Sequence, residues 1–387
     1  MELSPEDCDH CHDVTKQLLD ITLHDCQELG LERMYDANQA CLDKKRWKRL
    51  QSHSEFTVYA DRNANSAWLP TMSRQDWEYP IAVTAVGRMN CTLDDVLFAL
   101  LTPNAATQRL RDFLMDRNPG KNCQFIPIEM PTQEAPFQFL AVTRFITLNI
   151  WPFTMFKAPR EMVVAFATGD MTTANGKRYA YEMAQSVELQ CKGTQNSLKR
   201  RSRALQSRIF WEQRDGSIAV YTKLIVDAKI CISDSVKQIM LGRAVMGFWK
   251  FVPRSLETKK LWWCVRNKKR LIAQLQIHSQ SQRLAEVASC KGKLQGKEIA
   301  ASRCEFCDRK LCSGPKCCTS CHLKMVLSNE TGILEQTLTL CPRCAAFVRA
   351  LNAVDIARAL LVESERTSYG SGVSITKTSS ANKMSPL

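Results

Sequence analysis

The cysteines of the C-terminal third are the residues whose spacing most clearly supports chemistry. Of 18 cysteines in the chain, eight lie between positions 304 and 344. They are Cys304, Cys307, Cys312, Cys317, Cys318, Cys321, Cys341 and Cys344, and His322 is beside them. Two thiolates of a CxxC turn can converge on one zinc ion at about 2.3 Å, and two such turns complete a tetrahedron. We therefore predict a zinc-binding module over residues 301–352.

The spacing predicts which cysteines share the first zinc. Nineteen residues separate Cys321 from Cys341, a length typical of zinc ribbons. We therefore predict a site formed by Cys318, Cys321, Cys341 and Cys344. A site closed by four thiolates has no position for water, so its metal is expected to be structural rather than catalytic.

A second zinc would need the remaining cysteine pair. Cys304 and Cys307 supply two ligands, and Cys312 with either Cys317 or His322 could supply the others. The alternative is that these are buried free cysteines, which are common small core residues. Eight cysteines so close together argue against that alternative.

The N-terminus has a smaller group of ligand types. Cys8, His10, Cys11 and His12 are close in sequence, but no second CxxC or HxxxH pair is near them. A half site of this kind is more often a set of unrelated residues than a metal centre. We expect no metal there.

The elements that must position these residues change along the chain. Residues 1–45 predict a helix that starts at Ser4-Pro5-Glu6. From residue 56 to 231, segments rich in β-branched and aromatic residues predict six to eight strands. They are FTVYA, AVTAV, QFIPIEM, FQFLAVTRFITLNI, EMVVAFAT, KRYAYEMAQSVELQ, SRIFWEQ and SIAVYTKLIVDAKICI.

Two further helices fit between and after these strands. Thr92-Leu93-Asp94-Asp95 is typical of a helix start, and Ser233 or Asp234 could cap a long amphipathic helix that Pro253 would kink or end. The pattern predicts an α+β domain over residues 46–257, with a curved antiparallel sheet around its last helix.

The remaining segments are polar. Residues 258–300 predict a basic helical linker, and residues 362–387 predict a disordered tail with few large apolar residues. The basic run from Lys192 to Arg208 predicts an exposed loop, with a contact to an acidic surface as the alternative. The chain of 387 residues carries a net charge of +14, which favours acidic partners such as anionic lipid surfaces, nucleic acids or acidic proteins.

The chain resembles START-like lipid-binding domains followed by a degenerate FYVE-type zinc finger, a combination found in oomycete proteins. The resemblance rests on the strand FQFLAVTRFITLNI, Trp151-Pro152, the turn Ala158-Pro159-Arg160-Glu161, the strand ending at Ser186-Val187 and the closing helix. It implies a helix-grip fold that encloses an apolar ligand, without catalysis.

The cysteine module resembles FYVE fingers in its CxxC pairs, of which alternate pairs share each zinc in that family. The third family pair is replaced here by Met325-Val326-Leu327-Ser328-Asn329. The basic phosphoinositide signature is replaced by Ser313-Gly314-Pro315-Lys316-Cys317. A single lysine cannot make the several directed contacts that a phosphorylated inositol requires, so we do not expect that ligand to bind.

Several classes of function can be weighed from these observations. The chain lacks the HExxH, GxSxG, P-loop and dinucleotide motifs, so we expect no enzyme. No Arg- and Asn-rich recognition helix supports nucleic-acid binding. The prediction is a cytoplasmic lipid-binding adaptor, peripheral on endomembranes, with an apolar lipid ligand and an anionic membrane or protein partner. The alternative is an interaction scaffold with an empty START-like domain, whose surface would include Ile333, Leu334 and Leu338.

Overall fold

The protein is an α+β structure built on one large, mostly antiparallel sheet, as the strand pattern predicts. The computed structural model describes residues 3–30, 42–62, 77, 80–115, 124–147, 160–174, 176–189, 200–227, 233–268, 271, 303–308, 322–328 and 333–370. Among these residues, no helix is long and apolar enough to cross a membrane.

The large sheet contains every predicted strand and two that the sequence pattern did not predict, β1 and β8. Its strands are β1 Trp47–Ser52, β2 Phe56–Asp61, β3 Ile81–Met89, β4 Gln124–Glu129, β5 Phe139–Thr147, β6 Arg160–Thr172, β7 Arg178–Ser186, β8 Arg200–Arg201, β9 Arg203–Glu212 and β10 Ile218–Asp227. Their spatial order is β1-β2-β3-β10-β9-β7-β6-β5-β4, all antiparallel, and β8 pairs in parallel with β6. A separate hairpin joins β11 His322–Ser328 to β12 Ile333–Thr339.

Six helices accompany the strands in the described ranges. They are α1 Pro5–Glu28, α2 Leu93–Leu100, α3 Ala105–Leu114, α4 Asp234–Arg266, α5 Pro342–Ala350 and α6 Ala353–Gly370. Two predicted helix starts are confirmed, because Ser4 Oγ accepts from the N–H of Asp7 and Thr92 Oγ1 accepts from that of Asp95, each at 3.1 Å. Helix α3 was not predicted, although Asn104 caps it in the same way.

The sheet is buried on both faces. On the inner face, Phe166, Phe210 and Val220 pack with Phe248 and Phe251 of α4, beneath α2 and α3. On the outer face, Trp211, Tyr221 and Ile225 pack with Cys11 and Leu18 of α1. Helix α1 therefore covers the outer face of the sheet, and α4 packs against the inner face.

Three segments differ from the predictions at their ends. Of the two outcomes predicted for Pro253, an end of α4 is excluded, and the helix continues past the predicted boundary at residue 257 to Arg266, into the predicted linker. Proline removes one backbone N–H, and that loss is tolerated because neighbouring side chains anchor the helix on both sides. Val252 is buried, and Ser255 Oγ donates to the carbonyl of Ala99 at 2.8 Å.

The other two differences concern predicted exposed or disordered segments. Helix α6 extends to Gly370, into the predicted tail, because its first turns are anchored by buried Ile356 and Ala357. The end of the predicted basic loop is the start of strand β9, and Arg208 is only 1% exposed. Positive charge alone is therefore a poor guide to exposure when a carboxylate can pair with it.

Candidate metal centre and buried charge cluster

Four cysteines from two distant segments meet at the C-terminal end of α4. The sulfurs of Cys304, Cys307, Cys341 and Cys344 all lie within 4.8 Å of one another. Three of these side chains are buried and Cys307 is exposed. The three buried cysteines pack with Leu261 and other apolar residues. The arrangement is a closed thiol cluster with one edge toward solvent.

Local geometry holds each pair of cysteines in a tight turn. Cys341 is the N-cap of α5, and its Sγ accepts from the N–H of Cys344 at 3.4 Å. Around Cys304, the carbonyl accepts from the N–H of Asp308 at 2.9 Å, and Asp308 has a φ of 57°, which closes the turn. The N–H of Glu305 donates to the carbonyl of Thr339 at 3.0 Å, which ties this turn to β12.

Backbone N–H groups change the pKa of a thiol in the cluster. Burial raises the pKa of the Cys304 thiol, but N–H groups of Cys307, Cys341 and Phe306 donate to it and bring the pKa down to about 7. Burial and the charge on Cys304 raise the pKa of Cys344. By contrast, burial in apolar surroundings raises the pKa of Cys264 to about 12, as expected of a core thiol without a ligand role.

The geometry fits a tetrahedral metal. Four sulfurs bound at about 2.3 Å to zinc lie about 3.8 Å from one another. The sulfurs of Cys307 and Cys341 are 3.7 Å apart, far longer than a disulfide bond of about 2.05 Å. These four residues can therefore hold a metal ion with little rearrangement.

The cysteine pairing differs from the predicted one. Cys341 and Cys344 are both in the cluster, but Cys304 and Cys307 complete it in the places predicted for Cys318 and Cys321. Ribbon-like spacing favoured the nearer pair, whereas the fold brings Cys304 beside the end of β12. Cys312, Cys317, Cys318 and Cys321 lie outside the described residues, as does the side chain of His322, so a second site stays a prediction.

The other residues singled out in the sequence have different surroundings. His10, Cys11 and His12 are all on α1, where Cys11 is buried against the sheet and the two histidines are exposed. On the hairpin, Leu338 is buried, Ile333 is half-buried and Leu334 is 61% exposed. The predicted apolar interaction surface is therefore reduced to one exposed side chain among those three.

A second cluster lies on the inner face of the sheet, beneath α4. Glu182 on β7 pairs directly across the ladder with Arg208 on β9. The Glu182 carboxylate accepts hydrogen bonds from Arg208 and from Arg111 of α3, and from Gln206 at 3.3 Å. Glu182, Arg208 and Arg111 are 0%, 1% and 3% exposed. Thr222 and Thr168 extend the same cross-strand row.

Charge in this cluster does not balance. Two guanidinium groups face one carboxylate, so the cluster has an excess positive charge inside the core. Burial raises the pKa of Glu182, but the attraction of Arg111 and Arg208 outweighs it and lowers the pKa below its usual range. Burial lowers the pKa of Arg208. An uncompensated buried charge is costly.

The cations are held against aromatic faces. The Cζ atom of Arg208 lies 3.9 Å from the ring centroid of Phe248, and that of Arg111 lies 4.6 Å from Phe166. Arg111 Nη1, Arg208 Nε and Thr222 Oγ1 are buried without a hydrogen-bond partner among the described residues. These atoms are the donors that an acidic or polar ligand group would find.

The sequence pattern did not indicate this cluster. Arg208 belonged to a run of basic residues, and Glu182 was one charged residue in a long predicted strand. Alternation along SRIFWEQ and KRYAYEMAQSVELQ places Arg208 on the same face as Phe210, and Glu182 on the same face as Ala180. The core-facing positions of Arg208 and Glu182 could have indicated a buried charge. That the two residues pair with each other depends on the order of the strands in the sheet.

No protein-family model matches the sequence, and neither does any curated protein. Among solved structures, the chain is similar to human StAR-related lipid transfer protein 5, with a TM-score of 0.42 and 12% identity over 64% of this chain and 97% of that one. Human STARD10 gives a TM-score of 0.36 and 10% identity over 64% and 86%. A StAR-related lipid transfer protein from Xanthomonas axonopodis gives 0.33 and 14% over 55% and 98%. With values this low, the functional assignment depends on the sites themselves.

Proposed function

We propose that this protein is a non-enzymatic binder of an amphipathic lipid with an acidic head, held between the inner face of the sheet and α4. The observation that carries the proposal is the buried cluster of Arg111, Glu182 and Arg208, in which cations outnumber carboxylates and donors lack partners. An acidic head would balance the charge and accept from these donors, while the surrounding apolar core would contact the chain.

The same geometry implies a conformational step. Phe248 and Phe251 cover the cluster from α4 and are both buried. A ligand must therefore displace these rings, which requires α4 to shift away from the sheet. The ligand would stabilise the shifted state to the extent that it binds that state better.

The cysteine cluster is proposed to be a structural zinc centre. Four thiolates suit zinc, and a closed site would stabilise the packing of β12 and α5 on α4. The resemblance of this module to FYVE fingers, a cytoplasmic location and a peripheral membrane role remain predictions that accompany the proposal.

The experiment is native mass spectrometry after incubation with vesicles. One sample contains phosphatidic acid in phosphatidylcholine, and the other contains phosphatidylcholine alone. We expect the native protein to carry lipid away from the first sample in preference to the second, and the Arg208→Met variant to lose that lipid.

Arg203→Met is the matched control. Arg203 lies on the same strand but pairs with Glu188, which is 56% exposed, at 3.1 Å. R203M should retain the lipid. The proposal is wrong if the native protein carries no lipid, or if R208M binds it as well as the native protein does.

A further inference from the structure

A separate cavity lies outside the sheet core, where α6 packs over the corner between α2 and α3. Its volume is about 430 Å³, and its walls come from α2, α3, α4, α6, β11 and the segment after β4. Ligand pockets commonly measure about 300–1,000 Å³. The cavity is large enough for a small ligand, and nothing in the proposed interior site accounts for it.

The inner wall of this cavity is apolar and well packed. Phe98, Leu110, Val326 and Ala357 are 2%, 8%, 4% and 2% exposed. These four residues belong to α2, α3, β11 and α6, so the wall exists only when the C-terminal elements are docked. At the rim, the side chain of Met130 is 45% exposed.

Two cationic side chains line the cavity, and they differ in whether their hydrogen-bond donors are already used. Lys259 Nζ donates to the carbonyls of Phe98, Ala99 and Leu101 at 2.7, 3.0 and 2.7 Å, so its three donors are used. Arg266 lies at the rim, 49% exposed, with its Cζ 4.6 Å from the ring of Trp262 and Nη2 3.7 Å from Glu363. A guanidinium has five N–H donors, and one long ion pair uses only part of that capacity.

We infer that this cavity binds a single-chain amphipath of the fatty-acid type. The chain lies against Phe98, Leu110 and Ala357, and the carboxylate pairs with Arg266 at the rim. An apolar chain suits this wall because the Lys259 side chain already donates to three carbonyls. A carboxylate suits the exposed guanidinium of Arg266. This site is distinct from the interior charge cluster and does not depend on it.

The test is fluorescence titration with cis-parinaric acid, displaced by oleate. Ala357→Phe fills the cavity from α6, and Ala106→Trp fills it from α3, so a folding failure in one variant leaves the other to decide. Metal content and circular dichroism identify the folded variants. We expect cavity binding to weaken at least about tenfold in A357F and A106W and to persist in R208M.

A separate measurement tests the proposed contact between the ligand carboxylate and Arg266. Arg266→Gln should weaken binding of cis-parinaric acid but leave binding of its methyl ester unchanged, because the ester has no charge to pair. Binding that R208M abolishes and both filling variants retain would place the probe in the interior and overturn the inference. So would an absence of binding to the native chain. Binding that appears only after removal of residues 371–387 would show that the chain fills its own cavity, and would also overturn it.

Discussion

At the scale of single side chains, the charge of Glu182 is expected to dominate the stability of the sheet core. Gln has the shape of Glu but no charge, so E182Q would leave two buried guanidinium groups without a counterion. Removing one partner of a buried pair costs about 3–5 kcal/mol. Urea denaturation at pH 7 should show a loss of that size in the free energy of unfolding.

The matched control for this substitution is Glu188→Gln. Glu188 pairs with Arg203 at 3.1 Å, but its side chain is 56% exposed. Exposed pairs contribute about 0–1 kcal/mol because water screens them. A loss in E188Q as large as that in E182Q would contradict the assigned role of burial.

The pH dependence of stability should follow from the same carboxylate. The pKa of Glu182 is lower in the folded protein than the value of about 4.3 in an unfolded chain. Its contribution is therefore fully present above pH 4.3 and is lost as the pH falls through the folded pKa. The difference in unfolding free energy between the native protein and E182Q should shrink as the pH is lowered through that range.

Another prediction for a single residue concerns the metal. Cys344→Ser removes one of four thiolates, and serine is a poor zinc ligand, so the variant should lose one equivalent of zinc per chain by elemental analysis. Cys91→Ala is the control, since Cys91 is half-buried and lies outside the cluster. Equal metal content in the native protein and C344S would show that these four thiols do not hold it.

At the scale of elements, α4 connects the sheet to the cysteine module. Lys260 on α4 contacts Asp95 of α2 at 2.9 Å and the carbonyl of Arg349, in α5, at 3.1 Å. Its side chain is 3% exposed, so these contacts are shielded from water. One lysine therefore joins three helices.

Lys260→Met should loosen this junction. A hydrogen bond to a charged group contributes about 1.5–3 kcal/mol, and the substitution removes the charged donor from both Asp95 and Arg349. We expect K260M to release metal to a chelator faster than the native protein does, because α5 carries Cys344 and is capped by Cys341. Lys250→Met, on the exposed side of the same helix, should release metal at the native rate. Equal rates in both variants would exclude a role for Lys260 in docking the module.

Local signals in the sequence were sufficient for the type and order of most elements. Alternation and β-branched content identified the strands, and caps at Ser4 and Thr92 identified two helix starts. Strand β1, WKRLQS, was not predicted because its residues beyond Trp47 are mostly polar and exposed at the sheet edge. The sequence left open whether Pro253 would kink or end α4, because the contacts that decide it, such as that of Ser255 with Ala99 of α2, are long-range.

The sites were less predictable than the elements. The cysteine cluster was predicted as a zinc module, but which pairs meet depends on where residues 303–308 return to β12. That return is a long-range contact, and spacing along the chain does not report it. The charge cluster of Arg111, Glu182 and Arg208 joins α3, β7 and β9, so it required the sheet order as well.

At the scale of the whole molecule, the C-terminal elements complete the core of the sheet domain. Val326, Ile356 and Ala357 belong to the same buried cluster as Phe98 and Leu110. Apolar residues of α4 also pack around the cysteines, as Leu261 and Cys264 do with Phe306 and Leu340. The two parts share apolar surface that neither could bury alone, so they are expected to unfold together.

This shared core predicts that metal and sheet are thermodynamically linked. A metal that binds the folded chain stabilises it by mass action, and the stabilisation should reach the sheet because the cysteines pack on α4. We expect one thermal transition in the native protein, with loss of β-sheet circular dichroism and metal release at the same midpoint. Removing the metal with a chelator should lower that midpoint for the sheet as well. A sheet transition that is unchanged by the chelator would show two independent domains and would contradict the shared core.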